Sequence, residues 1–359
     1  MIPLNIKITT DDKEFPFVVR MPSTQNASYK TAILENVSNG INEYKYEKFR
    51  FSISSAVCED LSGDVLLVNP RRQNAHRLIR SKSEHNTLLI TEQCDQLCLM
   101  CSQPPKAEHV DMFSYYYDAA LLSPKSICLG ISGGEPLLHK DKLFNFIETI
   151  LEKRPDLSFH ILTNGQHFSI NDLDWLRMYR DKILWGIPLY SHVAEAHDKI
   201  VGKPGAFEIL MGNLSILGVS ASLVELRTVV LKQNIEHMVP LSDYITTRLS
   251  FISKWAIMQL ERIGFARRNW NEIFFDNSEN FTPLHSAIDV LRVRNFPFAL
   301  YNFPLCTIPD EFHEFAARSI SDWKQKYLNA CTSCSVKDEC CGFFEWYKED
   351  SGFREIKAK

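Results

Sequence analysis

Three cysteines, Cys94, Cys98 and Cys101, fall at C-x3-C-x2-C in a polar loop, directly after the apolar run Leu88-Leu89-Ile90. The run reads as a buried strand. Three thiolates this close can each hold one iron of a cubane cluster. A [4Fe–4S] cluster normally takes four protein thiolates, so a local set of three leaves one iron with an open position. An open position is where a catalytic metal receives substrate or cofactor. Zinc competes, because C-x2-C is a common zinc spacing, but the next ligating residues, His109 and Cys128, complete no familiar zinc pattern. Three inert core thiols are a poor match for a polar loop.

Further along, Ile131-Ser132-Gly133-Gly134-Glu135-Pro136 ends a strand. Its two glycines let backbone approach a ligand without Cβ interference, and Glu135 can accept from an ammonium group. Leu162-Thr163-Asn164-Gly165 closes the following strand. Five more cysteines, Cys306, Cys331, Cys334, Cys340 and Cys341, lie in the last fifth of the chain. A structural zinc held by four of them is one reading and a second iron–sulfur cluster another. Cys58 and Cys128 stand alone and read as buried apolar thiols.

The elements that must position these groups change character along the chain. Residues 1–84 are β-rich, with strands expected at Ile6–Ile8, Phe15–Val19, Phe49–Ile53 and Val65–Val68. Residues 85–275 alternate strands with helices in six strand–helix units. Lys140–Lys153 shows the clearest apolar stripe (Leu143, Phe146, Ile147, Ile150). This alternation implies a parallel sheet with chemistry at the C-terminal strand ends, and six units suit a partial (β/α)6 barrel. Residues 276–359 are expected to hold a helix at Pro283–Arg294, a strand at Phe298–Phe303, a helix at Asp310–Leu328 and the cysteine-rich end.

The cysteine loop, the Gly-Gly-Glu-Pro turn and the Thr-Asn-Gly strand end together resemble the radical S-adenosylmethionine (radical SAM) enzymes. The resemblance implies a [4Fe–4S] cluster on Cys94, Cys98 and Cys101. It also implies a methionyl-amine contact from Gly133, Gly134, Glu135 and Pro136, and cofactor contacts from Asn164 and Ser191. Arg227 would neutralise the methionyl carboxylate, or else sit in a salt bridge. Asn234 matches a frequent asparagine of the family, or serves only a turn, and Ile257–Glu261 falls where backbone meets the adenine. Met100 replaces an often aromatic residue and still packs. In such enzymes one electron from the cluster splits the C5′–S bond of SAM, and the resulting 5′-deoxyadenosyl radical abstracts a substrate hydrogen.

Cys331-x2-Cys334-x5-Cys340 resembles the SPASM and twitch extensions, which implies one auxiliary [4Fe–4S] cluster on Cys306, Cys331, Cys334 and Cys340, with Cys341 spare or alternating with Cys340. Cys98–Lys106, Tyr301–Cys306, Leu66–Gln73 and Cys341–Phe344 resemble the His-Xaa-Ser system maturases of the HxsC type. That narrower likeness implies modification of a ribosomally made peptide or small protein. It also implies a second radical SAM maturase, a small accessory protein and an external one-electron donor of flavodoxin or ferredoxin type. A small-molecule or nucleoside substrate, or a non-enzymatic metal-binding scaffold, are the alternatives.

Composition bounds the remainder. The 359 residues carry 45% hydrophobic and 23% charged residues, the profile of a globular protein. A formal net charge of −4 offers no field for a nucleic-acid backbone, and Arg71, Arg72, Arg77 and Arg80 read as a solvated face. No apolar run reaches membrane-spanning length and no signal peptide is visible. A reducing, cytoplasmic setting is therefore expected, where metal ligation is the default use of cysteines.

Overall fold

The computed structural model describes residues 2–23, 30–58 and 60–359, without the side chain of Cys58. The expected burial of the Cys58 thiol lies outside the described residues. The chain opens with β1 (Asn5–Lys7), β2 (Phe17–Arg20), β3 (Ile33–Ser38), β4 (Ile41–Tyr46), β5 (Phe49–Ser54), a single helical turn α1 (Ser55–Cys58), β6 (Val65–Asn69) and β7 (Asn74–Ile79). These make an antiparallel sheet in the order β1-β7-β6-β2 and a three-stranded β3-β4-β5 meander. The arginines between β6 and β8 are not all a solvated face. Arg77 is buried and ion-paired to Asp64 at 2.5 Å and Asp60 at 3.1 Å. Arg80, also buried, makes a bidentate pair with Asp322 at 2.5 and 2.6 Å, tying the N-terminal sheet to the C-terminal segment. Buried arginines need such carboxylates, because an unpaired charge in the interior is costly.

From Asn86 the expected alternation appears. Its members are β8 (Asn86–Thr91), α2 (Phe113–Leu122), β9 (Cys128–Gly133), α3 (Lys140–Lys153), β10 (Ser158–Leu162), α4 (Leu173–Tyr179) and β11 (Ile183–Pro188). Then come α5 (Ala194–Val201), α6 (Ala206–Val219), β12 (Leu223–Val229), α7 (Met238–Arg248), β13 (Lys254–Met258), α8 (Gly264–Ile273), α9 (Thr282–Val293) and β14 (Phe298–Tyr301). With the two-residue β15 (Ala316–Ala317) they build an eight-stranded parallel sheet in the order β15-β14-β13-β12-β11-β10-β9-β8. Each strand pairs with its sequence neighbour, so right-handed crossovers place the helices on one face. Residues alternate accordingly. Leu129, Ile131, Phe159, Ile161, Trp185, Ile187, Val224, Leu226, Trp255 and Ile257 are buried in the main core with the helices. Their neighbours His160, Gly186, Glu225, Arg227 and Lys254 alternate onto the other, helix-free face. Cys128 shares that face at the start of β9, which is why it is exposed rather than buried.

Two helices had no counterpart in the sequence reading, α5 and α8. The helix expected over Asp310–Leu328 does not form. Asp310–Phe315 is a 3-10 turn, β15 follows, and Gln325–Lys326 forms β16, paired with β17 (Phe343–Phe344). Phe312 is buried against Phe281, ring centroids 5.1 Å apart, and Ala316 and Ala317 pair with the free edge of β14. These tertiary contacts outweigh helix propensity.

Candidate functional site

The cysteine loop leaves the C-terminal end of β8 and is clamped by three elements, the turn after β9, α5 and α8. Gly134 N donates to Thr91 O and Glu135 N to Gln93 O, both at 2.8 Å. Leu97 N donates to Val201 O at 3.0 Å and Leu99 N to Ile200 O at 2.9 Å, at the end of α5. Phe265 N, at the start of α8, donates to Cys101 O at 2.8 Å, and Asn269 Nδ2 donates to Leu99 O at 2.9 Å. Glycine permits this closeness. A Cβ on Gly134 would lie 2.1 Å from Gln93 O, and one on Gly264 would lie 2.3 Å from Cys101 O. The sequence reading gave the Gly-Gly pair to ligand approach; here it also admits the cysteine loop itself.

Two carboxylates fix the strand ends around the loop. Glu135 is fully buried. Its Oε1 accepts from Thr163 Oγ1 at 2.6 Å and Leu137 N at 2.8 Å, and its Oε2 from Asn164 N at 2.5 Å. Burial raises the pKa of the Glu135 carboxyl, against the pull of those hydrogen bonds. With two acceptor positions per oxygen, only Oε2 keeps one for a further donor. Asp95, inside the loop, accepts from Asn164 Nδ2 at 2.7 Å and Lys203 Nζ at 2.5 Å, with His167 Nε2 at 3.3 Å. Burial works against its charge, yet His167, Lys203 and Asn164 hold the carboxyl well below the usual range. Asn164, a predicted cofactor contact, thus bridges both carboxylates through its backbone and side chain. Asp95, His167 and Lys203 were missed; the turn-rich run Gly202-Lys203-Pro204-Gly205 was the available signal.

Burial pushes all three loop thiols up, Cys94 to about 11, and Cys94 and Cys98 also feel neighbouring negative charge. Gathered thiols that resist ionisation alone become thiolates when cationic metal is bound. Among the described residues no three His, Cys, Asp or Glu side chains are gathered closely enough to hold a single metal ion, whereas a cluster gives each thiolate its own iron. The donor set fits an iron–sulfur cluster.

The other predicted contacts divide. Ser191 is fully buried at the end of β11, where its Oγ accepts from Val193 N at 3.0 Å. Arg227 forms an ion pair with Glu225 at 2.5 Å. Asn234 is a turn residue: its Oδ1 accepts from Leu231 N and its Nδ2 donates to Val229 O. Met100 is buried with Tyr190 and Ile200 in a second core cluster that also takes in Trp270, Phe343 and Tyr347. Cys98, Cys306 and Cys331 pack against that same cluster.

The C-terminal cysteines gather as well. Burial pushes Cys306 up to about 12, reinforced by Cys340, Cys331 and Cys334. Cys340 Sγ accepts from Leu305 N and Gly342 N, both at 3.3 Å, and the neighbouring Cys341 thiol helps lower Cys340 to about 6. Cys341 is buried instead with Ile320 and Phe344. Cys306 and Cys331 rest on 3-10 turns, Leu305–Thr307 and Asn329–Ser333, and Cys334, Cys340 and Cys341 on the irregular backbone that follows.

No protein-family model matches the chain. A stretch of 154 residues, 42% of the chain, is 26% identical to the antilisterial bacteriocin subtilosin biosynthesis protein AlbA of Bacillus subtilis strain 168. The matched part covers 34% of that curated relative's length. Among solved structures, native anSMEcpe with bound AdoMet superposes with a TM-score of 0.52 at 13% identity, covering 76% of this chain and 92% of that one. Native anSMEcpe with bound AdoMet and the Cp18Cys peptide gives 0.52 at 12% identity, covering 76% and 91%. The likeness to the solved structures is one of fold, and the sequence likeness to AlbA covers less than half of the chain.

Proposed function

We propose that this protein is a radical SAM enzyme that modifies a ribosomally made peptide or small protein, of the HxsC maturase type. One observation carries the reading: the Gly133–Pro136 turn is hydrogen-bonded directly onto the loop bearing Cys94, Cys98 and Cys101. Thiolates for a cluster and backbone suited to the methionyl amine of SAM therefore form one unit at the C-terminal end of a parallel sheet. A [4Fe–4S] cluster on the three cysteines would supply the electron that cleaves SAM. Oε2 of Glu135 keeps one acceptor position for the amine, while its other bonds hold the turn to β10. Arg227 can exchange its partner Glu225 for the methionyl carboxylate, and Ser191 shapes the turn beside it.

The uniform winding of the sheet favours a partial barrel over residues 85–275, extended by β14 and β15 from residues 276–359, with residues 1–84 as a β-rich preceding region and residues 276–359 also holding an auxiliary [4Fe–4S] cluster on Cys306, Cys331, Cys334 and Cys340. AlbA, by name, belongs to bacteriocin biosynthesis, and anSMEcpe has been solved with a peptide. Both favour a peptide substrate. A one-electron donor of flavodoxin or ferredoxin type, a second maturase and a small accessory protein complete the proposed system, in the cytoplasm; no helix among the described residues is long and apolar enough to cross a membrane. Anaerobic reconstitution with iron, sulfide, SAM and dithionite tests the reading. It expects 5′-deoxyadenosine; none, with clusters intact and a candidate peptide present, counts against it.

A further inference from the structure

The helix-free face of the parallel sheet carries an unusual density of charge. Glu225, almost fully buried on β12, shares its carboxylate between Arg227 at 2.5 Å, Tyr301 Oη at 3.2 Å and His160 Nε2 at 3.5 Å. Lys254 Nζ donates to Tyr301 Oη at 2.9 Å and sits 4.9 Å from the centroid of its ring. Four strands, β10, β12, β13 and β14, converge their side chains on this one point. Burial pushes His160 down to about 4, with Glu225 pulling the other way, so the imidazole is uncharged at neutral pH. The group then holds two cations for one carboxylate. Among the described residues Lys254 has no carboxylate partner, and a part-buried cation without one attracts an anion.

Small residues flank the group. Gly186 occupies the middle of the face and lets Leu162, His160 and Arg227 close over it, since a Cβ there would lie 2.5 Å from Leu162 Cδ2, 2.9 Å from His160 Nε2 and 3.1 Å from Arg227 Cδ. Ala256 and Ala299 continue the small residues on β13 and β14. Thr87 and Cys128, at the starts of β8 and β9, are exposed on the same face and leave it open to solvent. Depth separates Lys254 from the cofactor region, whereas Tyr301, in register with Met258, reaches the strand ends. Lys254 is in register with Glu225, four residues before Met258 at the end of β13, roughly 13 Å below the strand ends at about 3.3 Å per residue.

We propose that Lys254 and Tyr301, beside the Glu225–Arg227 pair, form a carboxylate-recognition subsite that receives an acidic side chain of the substrate. The subsite adds a substrate group to the function proposed above and rests on that reading for its purpose. Its binding, however, requires neither clusters nor SAM cleavage, so the two fail separately. The carboxylate of SAM is the other source of the same chemistry, and the test separates them.

The purified full-length chain is titrated by calorimetry with N-acetyl-aspartate amide, N-acetyl-asparagine amide and S-adenosyl-L-homocysteine. The aspartyl probe is expected to bind about tenfold or more tighter than the asparaginyl one, the effect of one charge-assisted hydrogen bond. Lys254→Met should erase that difference while leaving S-adenosylhomocysteine affinity unchanged. Tyr301→Phe, which keeps the ring under the ammonium, should reduce it severalfold, and it provides the reading if Lys254→Met fails to fold. Equal binding of the two amides, or an aspartyl preference that survives both substitutions, overturns the proposal. A loss confined to S-adenosylhomocysteine also overturns it, because the cation would then belong to the cofactor.

Discussion

The two cysteine sets are built on opposite principles. Cys94, Cys98 and Cys101 sit on a loop whose backbone is tied to β9, α5 and α8, with Asp95 anchored to Asn164 and Lys203. The elements around it hold that loop in shape. Cys306 and Cys331 sit on short 3-10 turns and Cys334 and Cys340 on the irregular segment that leads to the two-residue pair β16–β17. On the proposed auxiliary-cluster reading, bound metal supplies much of the order there, since metal binding at a site not otherwise preformed is folding free energy. A catalytic cluster needs its open coordination position aimed before the cofactor arrives; an electron-storing or structural cluster does not.

The sharpest way to break this contrast is to remove ligands from each side. Replacing Cys94, Cys98 and Cys101 together by Ala should remove about four irons and all SAM cleavage, with the far-ultraviolet circular dichroism unchanged. Surviving 5′-deoxyadenosine production would refute the assignment. Cys331→Ala should also remove about four irons, but should additionally open residues 305–347 to limited proteolysis. Equal protease resistance in both variants would erase the proposed difference. Within the second set, Cys340→Ser should behave as Cys331→Ala does, whereas Cys341→Ser should keep its iron, because Cys341 packs with Ile320 and Phe344.

The clamp on the first loop gives a smaller, purely structural test. Gly134→Ala forces a methyl group against Gln93 O and should cost about 2 kcal/mol or more, the range for overpacking a closed site. The measurement is a denaturant midpoint on the metal-free chain. An unchanged midpoint would show that the loop relaxes freely, and so is no more preformed than the C-terminal set.

Much of this was legible in the sequence. The cysteine spacing, the Gly-Gly-Glu-Pro turn and the strand–helix alternation all exist as local pattern, and local pattern is what periodicity reports. The clamps were not. α5 and α8 were passed over because each is short and flanked by glycine, although Ala266, Trp270 and Ile273 of α8 do repeat at helical spacing and are buried. Those same two helices hold Leu97, Leu99 and Cys101, so the missing elements were the ones that shape the site. The supposed helix at Asp310–Leu328 failed for the converse reason. Phe281, against which Phe312 packs, and the open edge of β14 lie outside that stretch, and no local window within it contains them.

Asp95 offers the finest test of preorganisation, through pH. Its carboxyl is held below its ordinary range by His167, Lys203 and Asn164. A depressed carboxylate contributes stability that is complete above the unfolded value, about 3.9, and is lost as pH falls through the lower folded value. Between pH 5 and 8 the Asp95 carboxyl itself stays charged, and its bonds to Lys203 and Asn164 should hold the loop in shape across that window. Asp95→Asn keeps the size of the side chain but removes the charge facing Lys203. It should lower stability by about 1–2 kcal/mol at pH 7, the scale of a part-exposed charged hydrogen bond. The deficit relative to wild type should shrink below pH 4, as the wild-type carboxyl also loses its charge. A deficit independent of pH would show that Asp95 acts through shape alone, and the electrostatic half of the clamp would have to be abandoned.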